Sequence, residues 1–254
     1  FTMKPTIKMI EDLSLNAWPS HQIQLYDGWL LRFSYFYTHR TNCVEQIGPS
    51  SSLSRKKINF CEDAYHRWGN AFHLQRSRLF FRMIFEKRLI DRRYAVQHVT
   101  EVMTLDLAPW QITMPPVSVR LERTINDRWI QSLFALKSTT SAIHRQIVPS
   151  MYHAIPKDTL AASITNSDGQ IVAIGLGILD RSYMGIYAIH VHPHYRGRQY
   201  ARSVCTSLLN RGKELGMTGA YLQVVEGNTP AKRLYLSLGF EDFYSYRFRV
   251  KELF

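Results

Sequence analysis

The sequence predicts an α/β chain, a mixed central sheet with flanking helices, and three observations predict it. The first is residues 186–216, IYAIHVHPHYRGRQYARSVCTSLLNRGKELG, which run from a strand through a proline turn and a basic loop into a long helix. The second is residues 219–239, a β-favouring run followed by Asn228-Thr229-Pro230 and a second helix closing on Gly239. The third is residues 171–180, an apolar run that follows the hairpin signal Ser167-Asp168-Gly169 and suits a strand covered on both faces.

Along the first half, residues 11–18 (EDLSLNAW) read as a short helix stopped near Pro19. Asp27-Gly28 is a turn that opens an aromatic-rich strand over 26–37, with 41–47 as its partner. A polar break at 50–54 precedes a helix over 55–68, and Gly69-Asn70 turns the chain. Strands are expected at 73–76 and 80–83, a helix at 85–93 and a strand at 99–107. Pro109, Pro115 and Pro116 then mark a linker.

The second half has a different rhythm. Residues 127–137 and 142–154 read as helices, and 159–165 as a strand before the apolar run. The strand at 186–191 stops at Pro193, because proline has no N–H to give a sheet ladder. Residues 195–201 form a loop, and Val204, Leu208, Leu209 and Leu215 then repeat at the spacing of one buried helix face. Asn228 or Thr229 caps the next helix, Pro230 fits its first turn, and Gly239 fits its C′ position. A last strand is expected at 244–250.

Composition narrows the function. The chain has 254 residues, 45% of them hydrophobic and 20% charged, as expected of a globular protein. No apolar run reaches the ~18 residues of a membrane span, so no membrane partner is expected. The N-terminus has no signal-peptide pattern, and Met3 is the expected natural start. Cys43, Cys61 and Cys205 form neither a CxxC pair nor a zinc spacing, which suggests a reduced, cytoplasmic setting. Net charge is +12. That charge suits nucleic acid or a polyanionic cofactor, and the absence of any nucleic-acid motif favours the cofactor. The basic run Arg76, Arg78, Arg82, Lys87, Arg88, Arg92, Arg93 reads mostly as a solvated face. Trp29, Tyr35, Phe36 and Tyr37 read as core, and Trp110 and Trp129 as residues that seal the two halves together.

The centre of the reading is the loop at 195–201. A basic, amide-rich turn feeding a helix N-terminus is an anion site, since its free N–H groups and the helix dipole both favour negative charge. Arg196, Gly197, Arg198, Gln199, Tyr200, Ala201 and Arg202 therefore make a candidate pyrophosphate cradle.

This stretch resembles the cofactor motif of the GNAT superfamily, the acyl-CoA-dependent N-acetyltransferases. The family pattern is Arg or Gln, two residues, Gly, one residue, then Gly or Ala. Arg196 and Ala201 hold its ends, and Gln199 stands where the family has its middle glycine. Downstream, Asn228, Tyr235, Gly239 and Phe240 match the family's second motif in order and distance. The resemblance implies a GNAT domain over 117–254, specific from Ile171 onward, and a degenerate GNAT-like domain over 3–116, hence a tandem arrangement.

It also implies the chemistry. An acetyl group passes from acetyl-CoA directly to a primary amine, on a small molecule or a peptide, with no metal. Ile189, His190 and Val191 would offer a strand edge to the cofactor where the sheet splays, with the Val191 N–H facing the thioester oxygen. Asn228 would bond the cofactor, and Tyr235 would be the general acid. Many relatives carry a glutamate base on this strand or the next. Here residues 182–198 hold no Asp or Glu and Gln223 takes the later position, leaving His190, His192 or a water as the base. A metal held by His190, His192 and His194 is not expected, since no carboxylate or cysteine completes the set. Two other readings stand beside this one: a non-catalytic acyl-CoA-binding module, and a basic RNA-binding protein.

Overall fold

A computed structural model describes residues 5–51, 55–68, 72–76 and 83–251, the side chains of 72–76 and 83–86 excepted. Along the chain lie α1 (Ile7–Ala17), β1 (Gln22–Tyr26), β2 (Trp29–Phe33), β3 (Val44–Gln46), α2 (Arg55–Arg67), β4 (Phe72–Arg76), α3 (Met83–Asp91) and β5 (Ala95–Asp106). Then come β6 (Arg120–Glu122), α4 (Asp127–Leu136), α5 (Ala142–His153), β7 (Asp158–Thr165), β8 (Ile171–Asp180) and β9 (Tyr183–Val191). The chain ends with α6 (Tyr200–Glu214), β10 (Gly219–Val225), α7 (Thr229–Ser237) and β11 (Glu241–Lys251). It divides into two compact units, one of Phe1–Ala17 with Val102–Phe243, the other of Trp18–Glu101 with Tyr244–Phe254.

In the first unit the strand order is β5-β10-β9-β8-β7-β6. Neighbours β6 through β9 pair antiparallel, whereas β9 and β10 pair parallel, so the sheet is mixed. Ser167-Asp168-Gly169 does turn β7 into β8, with Gly169 at φ 78°. Val204, Leu208 and Leu209 of α6 are fully buried against Met184, Ile186 and Leu160, as the spacing predicts. The approach is close: a Cβ on Gly175 would lie 2.4 Å from Val204 Cγ1, so the helix packs this tightly because that position is glycine. Asn126 caps α4 through the Trp129 amide, and the Trp129 indole N–H donates to Ala162 O at 3.0 Å. Trp110 packs on the same core and donates to Asn210 Oδ1. Both tryptophans thus belong to the core of this one unit, which corrects the expectation that they seal two halves.

In the second unit the order is β1-β2-β3-β4-β11-β5. Asp27 (φ 46°) and Gly28 (φ 76°) form the two-residue turn between β1 and β2, both left-handed as such hairpins require. Trp29, Leu31, Val44, Ile58, Cys61 and Tyr65 form its core. Lys57 is buried there, its ammonium 4.3 Å over the Trp29 ring and 3.0 Å from Asp27 Oδ2. Of the basic run, Lys87 and Arg88 are exposed, but Arg92 bonds Asn59 and pairs with Glu62. The strand expected at 80–83 falls largely outside the described residues, and Met83 opens α3.

Candidate active site

The site is built where two parallel strands part. β9 and β10 are paired only from Tyr183–Gly219 to Ile186–Leu222. Beyond that point β9 continues to Val191 and β10 to Val225 without pairing to each other. The cause is local to β9. Its ladder with β8 shifts register between Ile174 and Leu176, and Ala188 stands at φ 52°. Such a bulge bends a strand and adds one residue to its side-chain alternation. Ile186 packs in the α6-facing core, and Ile189, three positions on, reaches the same face beside Gly175 and Val204. His190 therefore projects from the opposite face. Burial first, then the charges of Lys137 and Arg196, push its imidazole down to about 4.

The loop after β9 is held by its own rings. Pro193–Tyr195 make one 3₁₀ turn, closed by the amides of Tyr195 and Arg196 on His192 O and Pro193 O. The Tyr195 ring stacks on Tyr200 with centroids 5.6 Å apart, and the Arg198 guanidinium lies 5.5 Å from its centre. Its hydroxyl accepts from Asn166 Nδ2, and Arg196 Nε donates to Val191 O. Gly197 (φ 74°) and Gln199 (φ 65°) are both left-handed, and Gln199 caps α6 without a side-chain bond. Helix α6 begins at Tyr200, earlier than expected, with Ser203 N bonded to Gln199 O. Between these closures lie the amides of Gly197, Arg198, Gln199, Tyr200, Ala201 and Arg202. Among the described residues none of the six meets an acceptor. No atom lies within 4 Å of where a Gly197 Cβ would sit, so the loop's outer face is open.

Helix α7 supplies the other predicted residues. Asn228 caps it, accepting from the Ala231 amide at 3.4 Å, and is itself exposed. Tyr235 is 8% exposed, edge-to-face with Phe240 at 6.1 Å, and its hydroxyl has no hydrogen-bond partner among the described residues. Burial, then neighbouring Cys205, raise its pKa, so it stays protonated at neutral pH. The Arg202 guanidinium bonds Ser237, tying the first turn of α6 to α7. The structure thus gathers Ile189 to Arg202 around the end of β9 and links that loop to the helix bearing Tyr235.

Two features escaped the sequence reading. Tyr195 and Tyr200 clamp the loop, a pairing that their spacing around Arg198 could have suggested. Tyr187 and Tyr221 bond hydroxyl to hydroxyl at 2.8 Å where the strands part, and Gln223 donates to Ser14 Oγ on α1. Among the described residues no three His, Cys, Asp or Glu side chains converge on a metal position. None of the described helices is long and apolar enough to cross a membrane.

Comparison with known proteins agrees with this fold. Among solved structures, a functionally unknown conserved protein from Staphylococcus epidermidis ATCC 12228 matches with TM-score 0.62 and 12% identity, over 92% of this chain and 95% of that one. A GCN5-related N-acetyltransferase from Kribbella flavida matches with TM-score 0.64 and 12% identity, over 91% and 90%. A tandem GNAT protein from the clavulanic acid biosynthesis pathway matches with TM-score 0.63 and 13% identity, over 82% and 74%. At these identities the likeness is one of fold. No curated protein matches the chain. The family described as "Probable histone acetyltransferase Rv0428c C-terminal" matches residues 5–249. The chain has the GNAT fold and belongs to that family.

Proposed function

We propose that this protein transfers an acetyl group from acetyl-CoA to a primary amine, by direct attack. The observation that carries the reading is the run of unclaimed amides from Gly197 to Arg202, at the positive end of α6 and next to the unpaired edge of β9. Those amides, with Arg196 and Arg198, hold the pyrophosphate. The edge from Ile189 to Val191 pairs with the amide-bearing arm of the cosubstrate. Acetyl-CoA supplies the activated thioester. The Val191 N–H stabilises the developing charge on its oxygen, an effect of ~3 kcal/mol for one such donor. Tyr235, protonated at neutral pH, gives its proton to the departing sulfur. His190 is uncharged above about pH 4, so it offers the incoming amine a lone pair and no repulsion. Asn228 bonds the cosubstrate while capping α7. Cys61 and Cys205 are buried and form no disulfide among the described residues, which supports a cytoplasmic setting.

The acceptor is a small amine or a peptide amine. Turnover over an amine panel, followed by release of free thiol, tests the proposal alongside a separate measurement of CoA binding. Tyr235→Phe is expected to lower turnover about 10²-fold with CoA affinity unchanged. Arg198→Glu is expected to weaken CoA binding. Wild-type turnover in Tyr235→Phe would remove the acid role. Gln199 in the loop and the lack of a carboxylate on β9 favour one second reading, a non-catalytic acyl-CoA-binding module. CoA binding without acetylation of any amine would select it. Salt-dependent RNA binding that CoA leaves unchanged would instead point to the basic surface.

A further inference from the structure

We infer that three hydroxyls, on Tyr187, Tyr221 and Ser14, form a relay that carries a proton from the incoming amine toward the protein surface. The inference rests on the acetyl-transfer reading above and supplies a route for the proton that reading must remove. A primary alkylamine arrives at neutral pH as an ammonium ion, and it has no lone pair for attack until one proton leaves. Neither β9 (YMGIYAIHV) nor β10 (GAYLQVV) carries a carboxylate to take that proton. His190, uncharged above about pH 4, does not keep it.

The hydroxyls follow one another from the sheet to α1. Tyr187 directly precedes Ala188, beyond the last rung that β9 shares with β10, and lies on the same face of β9 as His190. Its hydroxyl bonds that of Tyr221 at 2.8 Å. The Ser14 hydroxyl bonds the Tyr221 oxygen in turn. Tyr187 and Tyr221 are 6% and 2% exposed, whereas Ser14 is half-buried, so the chain leads outward from the core. Both rings lie over Gly185, where an added Cβ would sit 2.5 Å from Tyr187 Cε2 and 2.7 Å from the Tyr221 hydroxyl oxygen. At the outer end, Gln223 Nε2 donates to Ser14 Oγ at 3.0 Å and holds it in place. The charge of Asp180 reaches Tyr221; this carboxylate pairs with Lys157 and accepts from Asn16. A negative charge there favours a proton in transit.

Each hydroxyl can accept one proton while giving up another. The ammonium proton passes to the Tyr187 oxygen, the Tyr187 proton to Tyr221, the Tyr221 proton to Ser14 and the Ser14 proton to water. Every hydroxyl ends with one proton. The freed amine then forms the N–C bond as the C–S bond breaks. Tyr235 protonates the departing sulfur, and the second proton lost from nitrogen restores Tyr235. One proton is released to solvent per turnover.

The test measures turnover by the full chain with acetyl-CoA and two probes. Ethylamine is an ammonium ion at neutral pH, and trifluoroethylamine is uncharged there. Tyr221→Phe removes the middle hydroxyl and keeps the ring. It is expected to lower turnover of ethylamine by about 10²-fold and to leave turnover of trifluoroethylamine, and CoA affinity by calorimetry, unchanged. Tyr187→Phe is expected to match it, and the double variant to lose no more than either single one, since a chain broken once is broken. Should Tyr221→Phe not fold, Ser14→Ala, at a half-buried position, carries the same prediction. Equal losses with both probes would mean a structural role and overturn the relay, as would wild-type turnover of ethylamine in these variants. A wild-type protein that acetylates neither probe nor any amine of the panel would instead sink the acetyl-transfer reading, and the relay with it.

Discussion

Replacing Gln199 with glycine is expected to stabilise the protein, and the size of the effect follows from its backbone. Gln199 stands at φ 65°, where an L side chain costs roughly 1–2 kcal/mol. The side chain makes no capping hydrogen bond at the start of α6, so removing it breaks none there. Glycine adds freedom to the unfolded chain, which returns about 0.4–1 kcal/mol. The net gain is about 1 kcal/mol, a rise in Tm of roughly 2–4 °C for a protein of this size. Thermal unfolding followed by circular dichroism measures it. Gly197→Ala is the matched opposite. At φ 74° with no atom within 4 Å of the added carbon, it is expected to destabilise by about 1 kcal/mol through the backbone alone. Gln199→Ala keeps the Cβ and is expected to move Tm little. A Gln199→Gly protein with unchanged or lower Tm would refute this reasoning, because the left-handed turn would then not be a cost.

Other expectations concern the neighbours of the loop. Ser203 donates to Gln199 O at 2.9 Å and accepts the Val117 amide at 3.0 Å. Ser203→Ala is expected to cost about 1–3 kcal/mol by leaving that amide unpaired, measured by urea denaturation; a smaller loss would mean the amide finds another acceptor. His190 has a folded pKa of about 4, below its ordinary value of 6.5. Between these values the unfolded chain binds more protons, so the His190 contribution is complete above pH 6.5 and lost as pH falls toward 4. Urea midpoints at pH 7 and pH 5 are expected to differ less in His190→Gln than in the wild type. An NMR titration of His190 with a midpoint near 6.5 would contradict the burial argument.

Much of the architecture was legible in residue order. The bounds of β8 and β10 match the expected runs because both are continuous β-favouring stretches, one of them following Gly169 and the other opening on Gly219. The Asn228 cap and the left-handed Gly239 were legible because each residue type has one strong local preference. The parting of β9 and β10 was expected only through family resemblance. Its local cause is Ala188 at positive φ, and alanine carries no sign of that conformation. The early start of α6 was hidden in the same way, since Gln199 makes a turn usually signalled by glycine. Strand β1, QIQLY, escaped because it is an edge strand, exposed along most of its length, and has no buried face to impose a pattern.

Backbone NMR during a titration with CoA tests the central claim most directly. The amide signals of Gly197, Gln199 and Ala201 are expected to move furthest, with Arg198→Glu reducing both the shifts and the affinity. CoA binding that leaves those three amides unmoved would contradict the claim that the turn before α6 holds the cosubstrate.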